Sequence, residues 1–236
     1  MDGDGWVEFA LYGAPGELPS FPRGPAEVGG VRVTVAGSEL ADDWAEGWRE
    51  FHEPVLVGGR VWIRPPWAEP RPAAIDLVID PAQAFGTGAH PTTRLSLELL
   101  LGVEPRGPLA DLGCGSGVLA IAAARLGFRP VVAVDSDPAA VEATLANARA
   151  GGVELDRVER LDLRDQSVPG TPTVVANLVR PLLLLLAERM VDRPETLIVS
   201  GLLDGEEDEV AAAFTPLRER HRRRLHGWSA LLLSRP

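Results

Sequence analysis

The rhythm of hydrophobic and polar positions changes near residue 75. Before it, Trp6-Val7-Glu8-Phe9-Ala10-Leu11 and Val31-Arg32-Val33-Thr34-Val35 read as strands, the second alternating apolar and polar. Residues 13–30 between them are rich in glycine and proline and read as loop. A helix signal follows, with Ser38 placed to cap it and Asp42, Asp43 and Glu46 at its positive end. Trp44, Trp48 and Phe51 fall at i, i+4 and i+7 on one face. That face predicts docking on the main domain; a substrate-contacting aromatic patch is the alternative. Residues 55–67 are strand-rich and end at Pro65-Pro66, and Pro70 and Pro72 mark a linker.

From residue 75 the pattern alternates strand and helix, which predicts a parallel sheet covered on both faces. Strands are expected at 109–112, 131–134, 158–161, 173–176 and 197–200, and helices at 94–101, 118–126, 139–150 and 204–214. The leucine run 182–186 predicts a buried helix, with an interface as the alternative, and the tail predicts a hairpin turning at His226-Gly227. The expected fold class is α/β, a doubly wound Rossmann-like sheet with a C-terminal antiparallel hairpin and a small β-rich N-terminal appendage. The expected domains are an appendage over 1–40, a connecting helix and strands over 41–72, and the main domain over 73–236.

Composition narrows this picture. The 236 residues are 45% hydrophobic, ordinary for a packed domain. No apolar run reaches the ~18 residues of a membrane helix, and the first residues are acidic where a signal peptide would be basic. A soluble, cytoplasmic chain is expected, with no membrane partner. The net charge of −11 argues against direct nucleic-acid binding and suits a small molecule or a basic protein. Every basic residue is arginine. The single cysteine, Cys114, and four histidines without ligand spacing predict no metal site and no internal disulfide. The arginines from 218 to 224 read as a solvated strand face, with contact to an acidic partner as the alternative.

The chemistry-bearing signal is Asp111-Leu112-Gly113-Cys114-Gly115-Ser116-Gly117, between a predicted strand and helix. Glycines at alternate positions let the backbone turn tightly against a ligand. A dinucleotide loop spaces them GxGxxG and receives a pyrophosphate. Here the spacing is GxGxG, and Asp111 would repel a pyrophosphate but accept from the ammonium of a methionine moiety. The cofactor read from this loop is S-adenosyl-L-methionine. Asp135, twenty positions past Gly115, is suited to hold ribose hydroxyls, with Asp137 as a helix cap beside it. Asp162 follows the third strand, where related folds accept from the adenine amino group; a solvated loop acid among Arg160, Arg164 and Asp165 is the alternative.

The stretch Ile79-Asp80-Pro81-Ala82-Gln83-Ala84-Phe85-Gly86-Thr87-Gly88-Ala89-His90-Pro91-Thr92-Thr93 resembles the signature of the PrmA-type methyltransferases, class I enzymes that modify large-subunit ribosomal protein eleven. The likeness extends through the glycine loop, Val134-Asp135-Ser136-Asp137-Pro138, Val175-Ala176-Asn177-Leu178 and Ser200-Gly201-Leu202-Leu203, and covers roughly 40–236. It implies that Thr93, Gly113, Asp135 and Asn177 contact the cofactor, joined by Phe85, Gly86, Thr87, Asp111, Gly115, Gly117, Ser136 and Asp162.

Phe85 to Gly88 suggests a loop over the cofactor that excludes water. Thr92 and Thr93 either cap the next helix or bind the methionine end. His90 is expected to order the loop, with a general base as the alternative. Asn177 is the candidate catalytic residue. It ends the fourth strand, where amino-methylating enzymes hold the substrate amine, and the absence of a following aromatic favours a flexible alkyl amine over a planar base. The implied function is N-methylation of lysine or α-amino groups on a basic ribosomal protein. Another protein or a small amine, and a cofactor-binding module without catalysis, are the alternatives.

Overall fold

The computed structural model describes residues 24–28, 31–35, 52–72, 74–81, 86 and 88–236. The expected strand at 6–11 and the aromatic helix carrying Trp44, Trp48 and Phe51 lie outside the described residues. The chain divides into two units, Met1–Trp48 and Arg49–Pro236.

In the first unit, β1 (Gly24–Val28) pairs antiparallel with β2 (Val31–Val35). β2 was expected. β1 falls inside the stretch read as loop. Its Gly24-Pro25 start hides it, because proline is tolerated where a two-stranded hairpin leaves an edge unpaired.

The second unit opens with β3 (Val55–Val57), β4 (Val61–Arg64) and β5 (Ile75–Val78), in a sheet of their own. β4 and β5 run parallel, and Arg64 locks them by donating from Nε and Nη2 to the two Asp76 oxygens, each at 2.8 Å. The alternating pattern from residue 75 onward predicted one sheet. β5 instead stays with β4, its Leu77 joining the core beside the first helices.

The main sheet uses β6 (Leu109–Leu112), β7 (Val131–Asp135), β8 (Arg157–Arg160), β9 (Thr173–Asn177), β10 (Thr196–Leu203), β11 (Arg218–Leu225) and β12 (Trp228–Ser234). Its order is β11-β12-β10-β9-β6-β7-β8. The strands from β8 to β10 are parallel, and β12 runs antiparallel to both its neighbours. His226 and Gly227 take φ of 51° and 79°, the left-handed pair of a tight hairpin turn, as the tail predicted.

Between the strands lie α1 (Pro91–Leu100), α2 (Val118–Leu126), α3 (Pro138–Ala150), α4 (Arg180–Arg189) and α5 (Glu207–Ala213). Alternate strand residues enter two cores. Leu109, Val131, Val175 and Ile198 pack with α1 and α2, whereas Ala110, Leu112, Val174 and Val199 pack with α4 and α5. Both faces are therefore covered, the doubly wound arrangement. Two helix starts and the burial of one helix differ from expectation. α1 starts at Pro91 because His90 caps it. α5 starts at Glu207 because Gly205, at φ 96°, turns the chain first. α4 buries Leu183 and Leu186 and leaves Leu182, Leu184 and Leu185 half-buried, an amphipathic helix rather than a buried one.

Candidate active site

Strand pairing fixes the centre of the site. Leu112 pairs with Ala176, so the glycine loop after β6 and Asn177 at the end of β9 leave the sheet side by side. This is the carboxyl edge where open α/β sheets bind ligands. Gly113, Gly115 and Gly117 have φ of 77°, 54° and 80°. The loop is pinned to β7, since Gly113 N and Cys114 N both donate to Val134 O, at 2.8 and 3.0 Å. A Cβ on Gly113 would lie 2.3 Å from the Leu178 Cδ2 atom, so a side chain is excluded by packing as well as by backbone conformation.

Asp135 faces this loop. Its Oδ2 accepts from Gly115 N and its Oδ1 from Asp137 N, both at 3.0 Å, and the half-buried carboxylate retains lone pairs for further donors. Ser136 is anchored through its carbonyl, which accepts from Arg160 Nε at 3.0 Å. Asp137 caps α3 by accepting from Ala139 N at 2.9 Å.

Asp111 is fully buried. Its Oδ2 accepts from Ala120 N at 3.0 Å, serving a free amide of the first turn of α2, while Oδ1 has no partner among the described residues. Burial pushes its pKa up to about 7, against the pull of that hydrogen bond. Asp111 thus lies beneath the glycine loop, tied to α2 through one oxygen only.

His90 caps α1: Thr92 N donates to Nδ1 at 3.3 Å, and the ring meets Trp228 edge-on at 5.0 Å. Burial lowers its pKa, which keeps the imidazole neutral as an acceptor. These contacts make His90 a helix cap. Thr92 and Thr93 lie within the first turn and are not the caps. Thr93 is buried, and its Oγ1 has no partner among the described residues.

Asp162 is engaged by Arg164, whose Nε and Nη2 reach its carboxylate at 2.9 and 2.8 Å. These bonds and the Arg164 amide hold its pKa at about 2. That surrounding favours the solvated loop acid over an adenine acceptor. Phe85 and Thr87 lie outside the described residues. Gly86 O accepts from Ser116 Oγ at 2.7 Å, tying this segment to the glycine loop.

Four contributors were missed by the sequence reading. Asn147 of α3 donates to Ser116 O and accepts from Asp80 N, both at 2.9 Å, and Thr144 Oγ1 donates to Gly115 O at 3.0 Å. Ser200 Oγ donates to Thr92 O at 3.1 Å, and Leu178 abuts Gly113. The only sequence signal for the α3 pair was polar side chains on the helix face turned to the core.

An orphaned hydroxyl at Thr93, an acidic brace under a left-handed glycine loop and a free-edged Asp135 fit a ligand with an amine at one end and ribose hydroxyls at the other. No helix among the described residues is long and apolar enough to cross a membrane, and no group of three or more metal-ligating side chains occurs among them.

Comparison with known proteins accords with this geometry. The family model described as ribosomal protein L11 methyltransferase (PrmA) matches residues 26–236. A protein named ribosomal protein L11 methyltransferase from Citrifermentans bemidjiense is 41% identical over 217 residues, covering 86% of this chain and 70% of its own length. One of the same name from Pseudomonas aeruginosa is 43% identical over 183 residues, covering 75% of this chain and 62% of its own. The crystal structure of a ribosomal protein L11 methylase from Lactobacillus delbrueckii subsp. bulgaricus superposes with a TM-score of 0.70 at 26% identity, over 78% of this chain and 99% of that one. The chain belongs to the ribosomal protein L11 methyltransferase (PrmA) family of class I, S-adenosylmethionine-dependent methyltransferases.

Proposed function

We propose that this protein transfers methyl groups to amines of ribosomal protein L11, at lysine side chains or the α-amino group. The observation that carries the reading is the pairing of Leu112 with Ala176, which sets the glycine loop and Asn177 next to each other at one sheet edge. S-adenosylmethionine, when bound, supplies an electrophilic methyl group on a sulfonium.

Each residue has a separable task. Asp135 holds the ribose hydroxyls, with its carboxylate kept in place by the Gly115 and Asp137 amides. Thr93 offers its buried hydroxyl to the methionine end. Gly113, Gly115 and Gly117 let the backbone approach the ligand, and Asp111 beneath them favours a cation above. Asn177 accepts a hydrogen bond from the amine at its side-chain oxygen and aims the nitrogen lone pair along the displacement line. The amine must be neutral to attack, and an apolar, water-poor site favours that form by penalising the charged one. The segment around Phe85 is assigned to excluding water. No residue is required as a dedicated base, because solvent takes the proton before the amine is enclosed. The acceptor is a basic protein and the enzyme acidic, so encounter is favoured, in the cytoplasm where ribosomal proteins are made.

The test is transfer of tritiated methyl from S-adenosylmethionine to purified ribosomal protein L11, with and without Asn177→Ala. The enzyme has no lysine side chain to label. Labelling of L11, reduced about 100-fold or more in the variant, is the expected result. Label on other proteins only would replace the substrate, and full turnover by Asn177→Ala would remove that residue from the mechanism.

A further inference from the structure

Leu178 joins the two halves of the site. Its amide donates to Ser200 O at 3.0 Å, continuing the parallel pairing in which Asn177 lies opposite Ser200. One residue later β10 bulges: its register against β12 shifts between Ser200 and Leu202, and Gly201 takes a φ of 87°. A Cβ on Gly201 would stand 2.3 Å from Leu178 O and 2.8 Å from its carbonyl carbon. The backbone of Leu178 is thus pressed onto a glycine of β10. Its side chain is pressed onto a glycine of the cofactor loop, with Cδ2 2.3 Å from where a Gly113 Cβ would be. Two left-handed glycines, one in the cofactor loop and one in β10, grip one leucine, and that leucine follows the candidate catalytic residue directly. Ser200 extends the clamp, since its Oγ donates to Thr92 O in the first turn of α1.

We propose that Leu178 is a positioning residue: held between Gly113 and Gly201, it fixes Asn177 relative to the cofactor loop. This rests on the reading of Asn177 as the residue that holds the amine. A strand end beside a loop has no intrinsic reason to keep its last side chain at one distance from a ligand on that loop. The leucine supplies that reason, because the backbone leaving Asn177 cannot lift without withdrawing its side chain from Gly113. Removing the side chain should therefore disturb alignment of the amine more than cofactor binding. The loop itself keeps its bonds to Val134, Asp135 and Thr144.

The full chain carrying Leu178→Ala, Leu178→Met or Asn177→Ala is compared with the unaltered protein. Four readouts are taken: kcat with purified ribosomal protein L11, its KM, the dissociation constant of S-adenosylhomocysteine by calorimetry without acceptor, and the thermal midpoint. Leu178→Ala is expected to lower kcat at least tenfold, with the dissociation constant within about threefold of the unaltered protein. Leu178→Met, which can refill the space at Gly113, is expected to recover most of kcat. A folded Leu178→Ala with unchanged kcat, beside an inactive Asn177→Ala, overturns the clamp and spares the reading of Asn177. Cofactor affinity falling in step with kcat also overturns it, since Leu178 then supports only the loop. Should Leu178→Ala not fold, Leu178→Val is judged by the same criteria. Full turnover by Asn177→Ala removes the reading and the proposal together.

Discussion

Asp111 and Glu207 are the two carboxylates among the buried polar residues described, at 0% and 1% exposure, and they are kept in opposite ways. Glu207, at the start of α5, is saturated. It accepts from Arg224 Nε at 2.7 Å, Ser229 Oγ at 2.8 Å and Gly205 N at 2.6 Å. Burial alone would raise its pKa, but bonds from its own amide, Arg224, Ser229 and Gly205 outweigh that and hold it at about 2. Asp111, under the glycine loop, has one amide partner, an orphaned oxygen and a pKa pushed up to about 7. The first surrounding is that of a group serving stability. The second leaves part of the group's capacity unused by the fold, as at a site arranged for a ligand. Similar burial therefore carries no functional meaning by itself; the completeness of the hydrogen bonding does.

The largest expected effect falls on the cofactor side. Asp135→Ala should weaken S-adenosylhomocysteine about 100-fold by calorimetry, roughly 3 kcal/mol for two charge-assisted bonds, while the unfolding midpoint moves little. A loss of fold instead would make Asp135 part of the scaffold. Glu207→Ala should do the reverse. About 2 kcal/mol of stability is lost in urea titrations as Ser229 and Gly205 lose their acceptor, and cofactor affinity is retained. The half-exposed Arg224 keeps this below the cost of stranding a fully buried charge.

The smallest effect separates the two carboxylates by pH. Asp111 has a folded pKa above its unfolded value of 3.8, so the unfolded chain releases its proton first. Stability of the ligand-free protein therefore falls as pH rises from about 4 to about 7, by at most ~1.4 kcal/mol per pH unit. Glu207 has a folded pKa below its unfolded value of 4.5, so its contribution is present above about 4.5 and is lost as pH falls toward 2. Asp111→Asn should remove the first slope and Glu207→Gln the second, both read from denaturation midpoints across the range. Exchange of the two outcomes would reverse the comparison.

Much of the architecture was legible because local rules and tertiary packing agree. The short apolar runs at 109–112 and 131–134 became central strands, and the His226-Gly227 pair became the hairpin turn expected of it. The glycine spacing and Asp135 announced the cofactor edge, because close backbone approach needs glycine and a ribose needs an acceptor. β1 was hidden by glycine and proline, whose local preference for loops a paired strand can override. Capping by Thr92 or Thr93 was one of two readings of that pair, since threonine is a common cap, whereas the structure uses His90. The full burial of Asp111, with one oxygen tied to α2 and the other without a partner among the described residues, is visible only in the tertiary structure.

The sequence by itself determined the order of strands and helices, the left-handed glycine loop and the chemistry of the residues at strand ends. These depend on neighbours within a few positions. Tertiary structure alone decided that β5 joins β4, that Asn147 links Asp80 to Ser116, and that Leu178 lies between Gly113 and Gly201. Those contacts join residues from 14 (Val61 and Ile75) to 67 (Asp80 and Asn147) positions apart, where the distance between two atoms is set by the packing of whole strands and helices and leaves no periodic trace in the chain.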